Sequence, residues 1–410
     1  MLKIISELKL KKLFVLAVLL RILIMPFYFH PDIKTYYFQS SFLKQGVFNI
    51  YSYLTNNKGN LTIKEDFVYF PLTYFFLGTY QILATPILEP QFNNWLSDAS
   101  EQARNNIGTF RYLFVLKLPY LILDLLIPFL LIRFFSDTDK KRKVFILWLF
   151  NPLSIAIIYI YSNIDIISVV LSLISLLLFR NKKIVLAGIM LGLAAGFKAY
   201  PMLFLPFLMI YAKSAKAAIK LFLAAITTMF LIILPFWSSA FLNSALISGL
   251  TTRIAFPGIP IGFGEAIMVG VLSLTAFFIM ELTENLNSDK VWLSIFCVLL
   301  LLFSTIHYHI AWLLWIVPFL IIFSVTQPNI LGKLAWVWLS LAFVIPLTFD
   351  DKFMTVSTLS ALSPLYNLLP TPFLVLQKIY DPYLLQGAIH SILFGTSLVL
   401  IFRSFKMLKT

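Results

Sequence analysis

Asp32 stands two residues beyond His30, in PFYFHPDIKTYYFQSSFLKQGVFNIY (residues 26–51), where the first apolar run stops. A carboxylate there can take a proton from an attacking hydroxyl. Further polar residues recur singly in apolar surroundings: Asn163 and Asp165, Lys198 and Tyr200, Arg253, then His307, Tyr308 and His309. Lys198 and Arg253 suit phosphate oxygens, Lys as a point charge and Arg with a planar fork. A histidine can donate to a phosphate or position a hydroxyl. Aromatic faces such as Tyr36 suit sugar rings. The chemistry these types share is polar group transfer from a phosphate leaving group.

Each residue also has a plainer reading. Asp32 can be a solvated helix end, Asp165 a helix N-cap, Lys198 a snorkelling side chain, and His307 and His309 satisfied interface residues. His-x-His is a metal-like spacing, but no further His or Cys pair lies near it in sequence. Lys117 and Asp124 are seven residues apart, so they share one face of a helix after two turns. A structural ion pair across neighbouring helices is the expectation for them, and for Arg21. Cys297 lies inside an apolar run and is expected in the core.

The elements that must carry these residues are membrane helices. Of the 410 residues 60% are hydrophobic and 12% charged, against ~45–50% and ~25% in soluble domains. Forty-one phenylalanines would have nowhere to hide in a water-soluble fold. The formal charge of +14 sits in short clusters between apolar runs. That pattern marks cytoplasmic loops and not nucleic-acid binding. The first apolar run is interrupted by Arg21 and followed by bulky residues, so it reads as a retained helix and not a cleaved signal.

Spans are expected near 13–29, 110–135, 144–161, 164–180, 184–199, 201–212, 217–237, 265–281, 291–306, 309–325, 332–349 and 386–403. The piece 201–212 is too short for a full span of ~20 residues. Residues 67–88 are long enough to cross, yet carry Pro71, Gly78 and Pro86. Were they to cross, Lys140, Lys141, Arg142 and Lys143 would fall outside. They therefore read as a re-entrant or interfacial piece of a large external region, 30–109, in which 33–46 form an interfacial helix. With both termini cytoplasmic, roughly twenty of the 32 Lys and Arg lie inside. The chain reads as one all-α integral membrane domain of about twelve spans. Asp32, Asn163, Asp165, Lys198, Arg253 and the two histidines then gather on the far side. Charges at such depth face a bundle interior or a wet cavity.

At these residues the chain resembles the GT-C class of polytopic glycosyltransferases, in particular its mannosyltransferases. The matching pieces are His30-Pro31-Asp32 with Tyr36 and Tyr37, 46–51, Tyr69-Phe70-Pro71-Leu72, Asn151-Pro152, 163–165, 197–201, and His307-Tyr308-His309 through Trp312 to Pro318. The resemblance implies a lipid-phosphate sugar donor, a lipid-linked or glycan acceptor, and inversion in a single displacement outside the cytoplasm. Asp32 would be the general base, with Lys198, Arg253, His307 and His309 at the donor phosphate. His30, Tyr36, Asn163, Asp165, Tyr200 and Tyr308 would shape the sugar or acceptor pocket. Many relatives carry Asp-x-Asp where this chain has His30-Pro31-Asp32, so no obligatory metal is expected. Rival readings are a transporter or lipid flippase, against which stand the lack of an internal repeat and the one-sided polar cluster, and a non-catalytic assembly subunit.

Overall fold

The computed structural model describes residues 5, 7–88, 91–98, 108–247, 252–253, 257–284 and 286–409. The rest of the expected external region, 89–90 and 99–107, and parts of the loop around Arg253 lie outside them. The principal helices are α1 (Lys11–Ile24), α2 (Pro31–Ser41), α3 (Ile50–Asn57), α4 (Pro71–Leu88), α5 (Gly108–Leu131), α6 (Thr138–Leu149), α7 (Ile166–Arg180) and α8 (Ile184–Phe197). They continue with α9 (Ala215–Ile233), α10 (Val269–Leu282), α11 (Val291–Thr305), α12 (Val317–Thr326), α13 (Ile330–Leu347) and α14 (Pro382–Lys409).

Helix falls within every expected span, but the helices differ widely in length. Among the described residues four helical stretches are individually long and apolar enough to cross a membrane: Gly108–Phe134, Ala215–Phe236, Ile330–Leu347 and Pro382–Lys409. A fifth arises if α6 and Pro152–Ile160, bent by 40°, act together. The bend falls at Asn151-Pro152, where proline lacks the N–H that a continuous helix needs. Helices α7, α8, α10, α11 and α12 are shorter apolar helices. The piece 201–212 is broken, a 3-10 turn (Tyr200–Phe204) running into Leu205–Ile210.

One departure is not helical at all. Residues 265–268, expected to open a span, form a strand of a two-stranded antiparallel hairpin, Gly258–Gly262 with Glu265–Met268. Its tip has φ of 127° at Gly262 and 85° at Gly264, left-handed conformations open to glycine.

Close packing comes from small residues. A Cβ at Gly188 or Gly192 of α8 would lie 2.6 Å from the carbonyl oxygen of Leu221 or Ala225 on α9. Their absence lets the two backbones touch, as membrane helix pairs commonly do. Cys297 is buried in α11, as expected.

Buried charge fixes the end of α1. Arg21 is ion-paired with Asp124 of α5 and donates to the carbonyls of Ala17 and Leu149. Trp148 Nε1 and the Tyr159 hydroxyl both donate to the Asp124 carboxylate at 2.8 Å. Asp124 thus takes the expected role of a pair across helices. Lys117 does not join it: its ammonium donates to the carbonyls of Met25, Tyr28 and Tyr159 at 2.6–2.9 Å. The last carbonyls of a helix have no partner within it. Lys117 supplies one just where the chain turns toward His30 and Asp32.

Candidate active site

Asp32 lies in the first turn of α2. Pro31 opens the helix with its φ already set, and His30 caps it, Nδ1 accepting from the Asp32 N–H at 3.3 Å. A carboxylate is favoured at that positive helix end. One turn on, the Tyr36 hydroxyl donates to Asp32 Oδ2 at 3.1 Å. Burial, then the Asp32 charge, push the Tyr36 phenol well above its usual range, which keeps it a donor. The Asp32 side chain remains 38% exposed and so open to a substrate.

Lys198 ends α8 in extended conformation. Its ammonium sits 3.8 Å from Asp165 Oδ1 and 4.1 Å from the centre of the Tyr69 ring. Residues 67–88 secure this corner. The Phe70 N–H and Thr73 hydroxyl both donate to the Phe197 carbonyl, and Tyr69 packs edge-on to Tyr36 at 4.8 Å. The segment read as re-entrant is thus the wall that brings α2 against Lys198.

Asp165 occupies the N-cap position of α7 without capping it. Its Oδ2 instead accepts from Trp315 Nε1 at 2.8 Å. Asn163 holds the turn, accepting from the Asp165 N–H and donating to the Ala311 carbonyl. Trp315 is stacked between Tyr200, at 3.9 Å, and Trp312, at 5.2 Å. The Arg253 guanidinium lies 4.9 Å over the Trp312 ring, with Nη1 buried and unpartnered.

These elements enclose a cavity of about 260 Å³ lined by Asp32, Tyr36, Tyr69, Lys198, Arg253, His309 and Trp312, among others. The expected base, both expected cations and one expected histidine therefore share a pocket, although they come from distant parts of the chain. Asn163, Asp165 and Tyr200 stand behind its wall as supports for Lys198 and the tryptophans. His30 is buried beneath Asp32, edge-on to His309 at 5.8 Å. His307 and Tyr308 point elsewhere, into a second cavity of about 590 Å³ shared with His390. There His307 stacks on Phe349, and the Tyr308 hydroxyl donates to the Ala342 carbonyl.

Sequence reasoning gave Tyr69 and Trp312 no role, although both stand in the motifs quoted for the resemblance. It also passed over Glu65. Partial enclosure, then the charge of Asp32, raise that carboxyl above its ordinary range, so a second acid lies within electrostatic reach of the first.

One ring nitrogen of His30, one of His309 and a carboxylate oxygen of Asp32 fall within 4.8 Å of one another, a possible three-ligand metal set. The Nδ1 atoms of both rings are already engaged. Nδ1 of His30 accepts from the Asp32 N–H, and Nδ1 of His309 accepts from the Ala311 N–H at 3.2 Å. Nε2 of His30 is buried with no hydrogen-bond partner among the described residues.

An apolar helical bundle with a carboxylate, two cations and aromatic faces converging on one polar cavity has the make-up of a polytopic membrane glycosyltransferase. Residues 113–318, half of the chain, match Glycosyltransferase family 87, and the chain belongs to that family. Among curated proteins it is similar to GPI mannosyltransferase 1 of Candida albicans, 28% identical over 157 residues, 37% of this chain and 36% of that protein. The same-named protein of Debaryomyces hansenii is 29% identical over 108 residues, 24% of this chain and 26% of that one. The matched segments thus span about a third and a quarter of those relatives. Lys198, Arg253, His307 and His309 lie inside the family match; His30 and Asp32 lie before it.

Proposed function

We propose that the protein transfers a mannosyl unit from a polyprenyl-phosphate donor to a lipid-linked or glycan acceptor on the extracytoplasmic face, with inversion. The observation that carries this reading is the shared cavity: Asp32 lines it together with Lys198, Arg253 and His309. An acceptor hydroxyl at Asp32 gives up its proton to the carboxylate as its oxygen attacks the anomeric carbon. The bond from that carbon to the phosphate oxygen breaks on the opposite side. The leaving phosphate gains charge as it departs, and cations placed for that charge stabilise the transition state more than the ground state. Arg253 and Lys198 fill this role, and Nε2–H of His309 adds a neutral donor. Tyr69 and Trp312 hold these cations in place, Lys198 lying over the Tyr69 ring and Arg253 over the Trp312 ring. The names of the similar proteins support mannose as the transferred sugar.

The test is reconstitution of purified protein with labelled polyprenyl-phosphate mannose and candidate acceptors. Labelled product with inverted anomeric configuration supports the proposal; lipid movement across the vesicle without product refutes it. Because Nδ1 of His30 and Nδ1 of His309 each already accept a backbone N–H, the reaction is expected to run without a divalent ion. Full turnover after exhaustive EDTA treatment is the expected result, and activity regained only on adding metal overturns that part.

Arg253→Ala isolates the phosphate contact, since this side chain has no acidic partner to leave behind among the described residues. A hydrogen bond to a charged group is worth ~1.5–3 kcal/mol. The expected loss in kcat/KM for the donor is therefore about 10- to 100-fold, with acceptor KM unchanged, as read from initial rates with each substrate varied in turn.

A further inference from the structure

At the other end of the bundle lies a cavity of about 700 Å³ that the transfer reaction does not use. Helix α7 measures the separation. Asp165 at its start supports the catalytic cavity, and Arg180 in its last turn lines this one, fifteen residues or about 22 Å away. Two more cations reach the same space: Arg133, from the 3-10 turn that follows α5, and Lys141, on α6.

None of the three makes an ion pair or a side-chain hydrogen bond among the described residues. Arg180 is held in place by lying 5.1 Å over the Phe134 ring. A basic residue in a helix's last turn is ordinary, because it meets the negative end of the helix. That accounts for Arg133 and Arg180, but not for Lys141 near the positive end of α6, nor for their convergence on a cavity. Two exposed acids, Glu7 and Asp289, also line it. The space thus offers hydrogen-bond donors carrying positive charge and, separately, carboxylate acceptors.

We propose that this cavity is a headgroup site for a phospholipid of the leaflet opposite the catalytic pocket. Arg133, Lys141 and Arg180 hold the phosphodiester, as basic pockets between membrane helices do. Glu7 and Asp289 accept from a hydroxyl or ammonium group at the far end of the headgroup. The lipid class is therefore one whose headgroup carries a hydrogen-bond donor.

Native mass spectrometry of the full chain in detergent tests this, with phosphatidylglycerol, phosphatidylethanolamine, phosphatidylcholine or inorganic phosphate added in turn. The first two are expected to be retained above phosphatidylcholine, which has no donor. The double variant R133Q/R180Q is expected to bind them about tenfold more weakly. The conservative R133K/R180K, of the same fold by its elution profile, keeps most of the binding, and E7Q/D289N erases the preference over phosphatidylcholine. Equal retention by R133Q/R180Q and the unaltered chain overturns the site. Inorganic phosphate binding as tightly as the lipids, and displacing them, overturns the lipid assignment in favour of a soluble anion.

Discussion

Asp32→Asn is expected to lower transfer by about 10³- to 10⁴-fold, near the upper end of what a positioned base contributes. The substitution keeps the size of the side chain and an oxygen that can accept from the Tyr36 hydroxyl, which lies 3.1 Å from Oδ2. It leaves Pro31 and the His30 cap of α2 untouched. What it removes is the ability to bind a proton. Expression, elution profile and donor binding should therefore stay near those of the unaltered protein while kcat collapses. Tyr36→Phe removes only the phenol contact and is expected to cost far less. Single-turnover measurement with pre-bound labelled donor separates the chemical step from binding. Turnover within a few fold of normal in the Asn variant would show that Asp32 is not the base.

The second large effect is on stability. Asp124→Asn should destabilise the protein by about 3–5 kcal/mol, because it leaves the Arg21 guanidinium buried without its counter-charge. Both side chains are fully buried. The carboxylate also receives Trp148 and Tyr159, so one substitution disturbs contacts from three helical segments. Replacing both members, Arg21→Met with Asp124→Leu, should recover much of the loss, since an apolar pair of similar volume leaves no isolated charge. Denaturant or thermal unfolding in one detergent compares the single and double variants. A single variant as stable as the unaltered protein would remove the pair from any role in fixing the end of α1. The same comparison has a functional side. The end of α1 sets where His30 and Asp32 begin, so the single variant should also lose activity before it unfolds.

The bundle was legible because its signals are long. Apolar runs punctuated by basic clusters placed helix within every expected span, and Pro71, Gly78 and Pro86 marked 67–88 as unlike its neighbours. The lengths were less legible, since hydropathy does not show where a helix breaks: at Asn151-Pro152 one run became two. The hairpin at 258–268 was invisible for a related reason. Ile259, Ile261 and Ile267 are as apolar as a helix start, and only the glycines at its tip hint at a turn. In the site, charge was the readable part. Asp32, Lys198 and Arg253 stood out because a charge in apolar sequence needs a reason to be there. Tyr69 and Trp312 did not, among so many aromatic residues. The histidines divide the lesson: His307 and His309 are two positions apart in an irregular stretch, so spacing alone could not say that only His309 faces the cavity.

The shortness of the helices beside the site bears on the bilayer around it. Helix α1 has 14 residues and α7 has 15, about 21 and 22 Å, against a hydrocarbon core of ~30 Å. Helix α7 is largely buried, but α1 turns Val15, Leu16, Leu19 and Leu23 outward, and thinner lipid matches so short an apolar face best. Turnover should accordingly rise as the acyl chains of the reconstituting lipid are shortened, and fall in bilayers thickened by long chains or sterol.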